Sequence, residues 1–566
     1  MPQSDGHIPL LKKYPCALMH LLQQRLLKRL CCVFGAGASV DIGMADWFTF
    51  ISELAVGLVN PQDVDASNRS VIARAQELFY AFANKYDENA AQKGSPRPGP
   101  EDSTLQTYQA KLARAWREQV YETLYRNRGD RIAARVARDD DDSYYRSFAP
   151  IVRLLPVTIS FNFDDWLERT LAATRQPRDV KRKRGYTTVW DDYSQLPANE
   201  PVIFHPNGFL PSHKHERGSP RLVFSEEAFS DQLQGSMYGR YAILRNEVSH
   251  KTCLLVGISL EDPILAFVLR QNALNHAGHF HYIIHWTGVE GRNTLSPEQE
   301  TRLFKLYNLV SLQLSTQEIR LLADVLAWEP VQAYQEGEMN DVLLMFSFVV
   351  TGAVGVGKSS VIAHFRSLKQ HDEWTEPRLD EMARDPAGLT EAQLKIVDDW
   401  VARQFRLRNN VLNFNENQIG LHILDRGPLD PLAFTPREQS ISTKANRLRN
   451  SIKGRSKVPL AGSHVIVLKG DPNVLNNRAI AQGKDFSVET IVQQQGMLAD
   501  CYGTDGVTTI DTRGLSLEEV VRSVASEIFN KPYQRYSAAS FEDRLQQIGA
   551  KIDAQTSLPF LAESEE

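Results

Sequence analysis

Residues 30–47 read Leu30-Cys-Cys-Val-Phe-Gly35-Ala-Gly-Ala-Ser39-Val-Asp-Ile-Gly-Met-Ala-Asp46-Trp47. A short apolar run passes without a break into closely spaced glycines. Gly35, Ala36 and Gly37 lack bulk, so the backbone there can approach a pyrophosphate where a helix begins. A lone pair of glycines describes a tight structural turn equally well. Outward from it, strand-length apolar runs recur at 152–163 (VRLLPVTISFNF), 201–209 (PVIFHPNGF), 253–260 (CLLVGISL) and 281–286 (HYIIHW), with helix-like segments between them. That rhythm predicts a doubly wound parallel α/β sheet. Between the first two runs, residues 70–86 and 108–125 carry apolar residues at three-and-four spacing, predicting a helical insertion over about 62–150. The Gly, Pro and Ser content of 90–103 makes that segment a loop.

A second unit is predicted from about residue 340. MFSFVV at 345–350 is a strand, and Gly352-Ala-Val-Gly-Val-Gly357-Lys358-Ser359-Ser360 follows as loop and helix. This is the phosphate-loop pattern G-x-x-x-x-G-K-[ST] in its required context. Gly352, Gly355 and Gly357 let backbone N–H groups wrap phosphates. Lys358 would reach the β- and γ-phosphates of ATP or another nucleoside triphosphate, and the Ser359 hydroxyl would hold Mg²⁺, with Ser360 beside it. Further strands are predicted at 421–426, 464–471 and 507–512, the first placing Asp425 and Arg426 at its end. The expected division is 1–335, 340–535 and a polar tail over 536–566.

The 566 residues correspond to three or four units at about 150 residues each, or fewer if α/β domains are large. An apolar share of 42% and a charged share of 23% exclude wholesale disorder. The net charge of −5 gives the whole chain no cationic face for nucleic acid or anionic lipid. The run Lys181-Arg-Lys-Arg184 lies near Asp179, Asp191 and Asp192, so it reads as a solvated loop. Cys16, Cys31, Cys32, Cys253 and Cys501 form no Cys-x-x-Cys pair, which argues against a disulfide framework and against zinc. The opening residues lack the pattern of an export signal. The longest apolar stretch, about 342–357, is interrupted by Ser347, Thr351 and glycines, short of the ~20 residues a spanning helix needs. A cytoplasmic protein is expected.

Residues 35–47 resemble the dinucleotide loop of the sirtuin family, Gly-Ala-Gly-x-Ser to Gly-Ile-Pro-Asp-Phe, with Asp46 and Trp47 on the Asp-Phe pair and Ala45 in place of proline. Ser160-Phe-Asn162-Phe-Asp164 is similar to that family's Thr-x-Asn-x-Asp, and Gly257-Ile-Ser259-Leu260 to its Gly-Thr-Ser-Leu turn. His205-Pro-Asn207-Gly208 stands where the family carries His-Gly, with Asn207 in the histidine's place. The resemblance implies a Rossmann-type sheet that binds NAD⁺ through Gly35, Ala36, Gly37, Ser39, Asp46, Trp47, Asn207, Gly257 and Ser259. It implies Asn162 at the nicotinamide ribose and its water, with Asp164 in support. His205, two positions from Asn207 and on the same face if the strand continues, is expected as the base or ribose partner. Without the four cysteines of the family's protein deacylases, and with residues 225–229 (SEEAF), the chain resembles bacterial sirtuin-like NAD⁺ hydrolases, many of them effectors of anti-phage defence. The products would be nicotinamide and ADP-ribose.

Residues 345–530 resemble deoxynucleoside and nucleoside-monophosphate kinases. Asp425-Arg426 and Thr375-Glu376-Pro377 are similar to their Asp-Arg and Glu-Pro motifs, and 470–486 (GDPNVLNNRAIAQGKDF) to their lid. Asp425 would then serve Mg²⁺ or a substrate hydroxyl, Glu376 and Arg378 the substrate, and Arg478 and Lys484 the phosphoryl group. Gly427 and Gln482-Gly483-Lys484 depart from the usual serine and arginine pair. The fusion suggests an NAD⁺ hydrolase gated by a nucleotide, deoxynucleotide or phage component, with oligomerisation as one route for the switch. The alternatives are an active kinase with the first unit as a dinucleotide-binding regulator, and an ADP-ribosyltransferase using the same pocket.

Overall fold

The computed structural model describes residues 7–556 except 60–69, 139, 175–184, 191–198, 221, 229, 231–240, 261, 289–292, 385–387, 415–417, 436–440, 454–459, 485 and 504–505. The basic run at 181–184, Phe229 of the 225–229 segment and the closing AESEE lie outside the described residues. Two compact units emerge. One comprises Met1–Leu10, Gln24–His276 and Phe280–Glu329; the other comprises Leu11–Gln23, Ala277–His279 and Pro330–Glu566.

The first unit holds β1 (Leu30–Phe34), β2 (Val157–Ser160), β3 (Thr187–Val189), β4 (Val202–Phe204), β5 (Thr252–Val256), β6 (His281–Trp286) and β7 (Leu309–Leu314). They form one sheet in the order β3-β4-β2-β1-β5-β6-β7, with every pairing parallel. The α/β doubly wound reading of the sequence is the fold observed. Every side chain of β1, β2 and β5 is buried, as a sheet covered on both faces requires. The predicted insertion between β1 and β2 contains helices Val71–Gln92, Leu105–Tyr125, Gly129–Val136 and Tyr144–Val152.

Strand order fixes where this unit can bind a ligand. From β1 the chain builds outward through β2 toward β3 and β4, then returns to the other side of β1 for β5, β6 and β7. The connections after β1 and β5 therefore leave in opposite directions and open a crevice at the strands' C-terminal ends.

The second unit holds β8 (Met345–Gly352), β9 (Lys369–His371), β10 (Gly420–Asp425), β11 (His464–Lys469) and β12 (Val507–Asp511), ordered β12-β11-β8-β10-β9 and parallel throughout. The phosphate loop leaves the central strand. Residues 538–556, expected within a polar tail, form a helix instead. Phe541, Leu545 and Ile548 recur at helical spacing and are buried in the core of this unit.

The crevice of the first unit depends on one close backbone approach. Gly257 adopts φ +64°, and a Cβ on it would stand 2.2 Å from the Ala38 nitrogen. Gly257→Ala should destabilise the first unit by about 2–4 kcal/mol through left-handed strain and backbone clash. Urea unfolding of the full chain, followed by tryptophan fluorescence, measures this.

Candidate functional site

The turns after β1 and β5 clasp each other. The Gly35 N–H donates to the Val256 carbonyl at 3.0 Å, and the Gly37 N–H to the Gly257 carbonyl at 2.9 Å. A Cβ on Gly37 would lie 2.9 Å from the Gly257 Cα, so the two turns touch backbone to backbone. Over the clasp lies a cavity of about 660 Å³, bounded by Gly35, Ala36, Gly37, Asp46, Trp47, Asn207, Gly257 and Ser259. These eight sequence-predicted residues, drawn from four separate segments, share one wall system. Asp46 also caps helix Trp47–Ala55, its carboxylate accepting the Thr49 N–H at 2.7 Å. Trp47 rests edge-on against Phe163, with ring centres 5.5 Å apart.

Behind the clasp lies a buried polar cluster. The Asn162 side-chain amide donates to the Gly35 carbonyl at 3.0 Å, and lies 2.7 Å from both Ser39 Oγ and Tyr145 OH. Among the described residues its side-chain oxygen accepts no hydrogen bond. Ser39 Oγ donates to Asp164 Oδ2 at 3.0 Å, and Asp164 Oδ1 accepts the Trp166 N–H at 3.1 Å. Burial pushes the Asp164 carboxyl up to about 7, against the lowering pull of those two bonds. Asn162, Ser39 and Asp164 thus meet as one network tied to the Gly35 turn.

His205 is placed differently from the sequence expectation. It is 0% exposed, with Nδ1 2.8 Å from the Asn162 carbonyl and Nε2 2.8 Å from Glu168 Oε1. Burial alone would lower the imidazole pKa, but Glu168 more than offsets this and raises it. Both ring nitrogens face acceptors, so the ring is held by its protons and presents no lone pair to the cavity. The period-two argument fails because β4 ends at Phe204. His205-Pro-Asn207-Gly208 is a turn, closed by the Gly208 N–H on the His205 carbonyl at 3.2 Å. Asn207 alone of the pair reaches the cavity. Its side-chain oxygen accepts from Tyr241 OH at 2.7 Å, and its nitrogen donates to Asp262 Oδ2 at 3.1 Å. Asp262, Tyr145 and Glu168 lie outside the motifs, although Asp262-Pro263 carries an ordinary helix-start signal.

In the second unit, Gly355 has φ +80°, and a Cβ there would lie 2.2 Å from the Leu475 carbonyl oxygen. Lys358 Nζ donates to the Gly352 and Ala353 carbonyls at 3.0 and 3.2 Å. Burial, then the charge of Arg426, brings its pKa down to about 8. Ser359 Oγ donates to Asp425 Oδ2 at 2.5 Å, while Asp425 Oδ1 is buried and has no partner among the described residues. A hydroxyl and a half-satisfied carboxylate at the mouth of a phosphate loop fit Mg²⁺, which takes few protein ligands beside nucleotide phosphates. Ser360 and Arg478 are exposed.

Glu376 does not meet Arg426. It pairs with Arg403 and accepts from Gln404 Nε2 at 2.7 Å. Glu373, three residues earlier, is the carboxylate that pairs with Arg426, and it also pairs with Arg378 at 2.7 Å. Beside them lies a cavity of about 120 Å³, bounded by Trp374, Phe405, Phe434 and Lys484 and by the buried pair Asp398–Lys444, 3.0 Å apart.

Residues 156–312 match the family model described as SIR2-like domain. The first unit therefore contains a sirtuin-like domain. The match begins at the start of β2, after the Gly35 turn and the helical insertion. No curated protein matches the chain. Among the solved structures that align with the chain are two with low scores. They are NadR protein in complex with NAD and AMP-PNP (11% identity, 62% of this chain and 89% of that chain covered, TM-score 0.26) and NadR protein in complex with NR (12%, 62% and 98%, TM-score 0.25).

The Asp164 carboxyl supplies a pH test. With its folded pKa near 7, above the unfolded value near 3.9, its contribution to stability is complete below about pH 4 and is lost as pH rises through 7. Asp164→Asn removes that loss. Relative to the wild type, the variant should gain about 2 kcal/mol between pH 5 and pH 8 in urea unfolding.

Proposed function

We propose that the first unit cleaves the nicotinamide–ribose bond of NAD⁺, releasing nicotinamide and ADP-ribose. The observation that carries this reading is the tie between Asn162 and the Gly35 carbonyl, which links a buried polar network to a dinucleotide-sized cavity at the sheet's switch point. Gly35, Ala36, Gly37, Gly257 and Ser259 would take the pyrophosphate and adjoining ribose, and Trp47 and Asn207 the nicotinamide end. Departure of nicotinamide leaves an oxocarbenium-like ribose, as in glycoside hydrolysis. The free side-chain oxygen of Asn162 is suited to hold water or a ribose hydroxyl against that centre. His205 is a positioning residue that fixes the Asn162 backbone, and Asp164 and Ser39 hold the amide in place.

The second unit would act as the gate. Lys358, Ser359 and Asp425 would hold ATP or another nucleoside triphosphate with Mg²⁺, and ligand binding shifts a two-state equilibrium by its differential affinity. Uncontrolled NAD⁺ loss is lethal, so such a pairing suits a cytoplasmic effector of phage defence, triggered by an altered nucleotide pool or a phage protein and organised as a homo-oligomer. No helix among the described residues is long and apolar enough to cross a membrane. One observation favours a second reading, an active nucleoside or nucleotide kinase: the aromatic cavity beside Arg426 and Lys484, next to the phosphate loop.

Asn162→Ala should lower nicotinamide release at least ~100-fold while leaving ATP binding intact. Lys358→Ala should retain the NAD⁺ site but lose any response to nucleotide. Chromatography of NAD⁺, nicotinamide and ADP-ribose, beside ATP titration calorimetry, reads both. Phosphorylated nucleoside with no NAD⁺ loss would select the kinase instead.

A further inference from the structure

With Asn207 in the place of a histidine, His205 locked by two acceptors, and Asp164 committed to Ser39 and the Trp166 N–H off the cavity wall, the proton acceptor for the proposed cleavage is sought among the groups on that wall. The titratable groups on the cavity wall, among the described residues, are Asp41, Tyr144, Asp46, His285 and Asp262. Asp41 Oδ2 accepts the Tyr144 N–H at 2.8 Å, and Asp46 Oδ1 caps its own helix; among the described residues neither hydrogen-bonds Asn207. His285 Nε2 meets the Asn293 carbonyl at 3.1 Å, near the end of β6 and away from Asn207 on the sheet. Asp262 differs from all of these: it is joined to the motif residue itself.

Resting on the NAD⁺-cleavage reading, we infer that Asp262 is the general base of the reaction, aimed by Asn207 and Tyr241. Three elements place it. Asp262 Oδ1 accepts the Ile264 and Leu265 N–H groups at 3.0 and 2.9 Å, anchoring the carboxylate at the start of helix Pro263–Asn275. Asp262 Oδ2 accepts from Asn207 Nδ2 at 3.1 Å. Asn207, 2% exposed, cannot rotate its amide without losing Tyr241 OH on its oxygen at 2.7 Å. One carboxylate oxygen is thus spent on the helix, while the other keeps lone-pair capacity on the cavity wall. Its partial burial also lifts the carboxyl pKa, the direction that suits a base. In the step, a water oxygen bonds to C1′ of the nicotinamide ribose as the C1′–N bond breaks. The electrons of that bond neutralise the pyridinium nitrogen of departing nicotinamide. The water proton passes to Asp262 Oδ2 and then to solvent. Nothing is oxidised or reduced.

The test is Asp262→Asn in the full chain, since asparagine is itself a good helix cap. Asp262→Ser, another cap, serves if the first variant fails to fold. Nicotinamide release should fall about 100-fold or more, while the Kd for ADP-ribose by calorimetry stays within about threefold. Azide needs no deprotonation, so it should restore release in the variant and yield ADP-ribosyl azide, which a residue of purely structural role would not do. Release near the wild-type level, loss of ADP-ribose binding in parallel, or failure of azide to rescue would overturn the assignment. If the wild-type chain releases no nicotinamide under any nucleotide condition, the cleavage reading itself falls, and the base with it.

Discussion

The contact on which the first unit depends is the backbone clasp between the turns after β1 and β5. Two N–H to carbonyl bonds join Gly35 to Val256 and Gly37 to Gly257, at a spacing no side chain would allow. The clasp closes the floor of the crevice at the point where the strand order reverses. It also exposes the Gly35 carbonyl to Asn162, so the same residues that bring two turns together hold the polar network. Glycine is required here for approach as much as for conformation.

Burial then sets the electrostatics. Asp164, Glu168 and His205 are each nearly closed to solvent, where an unpaired charge is costly. The carboxyl of Asp164 rises toward neutrality, whereas His205 and Glu168 meet as a close pair. This arrangement consumes His205, the histidine of the motif. On the proposed reading, it shifts proton transfer to a carboxylate on the far side of Asn207. The second unit uses the same economy differently. Arg426 is shared between Glu373 and Asp430, and Lys358 folds back on its own loop through two carbonyls, an arrangement that phosphate oxygens could replace.

Much of this was legible in the sequence because it rests on local rules. Strand-length apolar runs ending in glycines located β1, β5 and β8, and alternation with helices announced both parallel sheets. Gly35, Gly37, Asn207, Gly257 and Ser259 reach one cavity because loops at one edge of a parallel sheet converge whatever their separation in sequence. What the sequence does not show has a different cause. Strand alternation sets His205 beside Asn207 only while the strand continues, and β4 ends one residue before it. The Glu-Pro motif points to Glu376, whereas β9 ends at His371 and the loop after it brings Glu373 to Arg426. Tyr145 and Glu168 are distant in sequence from the turn they support, so no spacing could reveal them. The helix Ala538–Thr556 was hidden by a polar composition that carries three core residues at helical intervals.

The proposed cleavage of NAD⁺ in the clasped crevice is tested by the product balance of the wild-type chain incubated with NAD⁺ across a panel of ATP, deoxynucleotides and Mg²⁺. Nicotinamide and ADP-ribose should appear in equal amounts as NAD⁺ disappears, at a rate that depends on one nucleotide. Intact NAD⁺ under every condition, with ADP-ribose still bound, would contradict it.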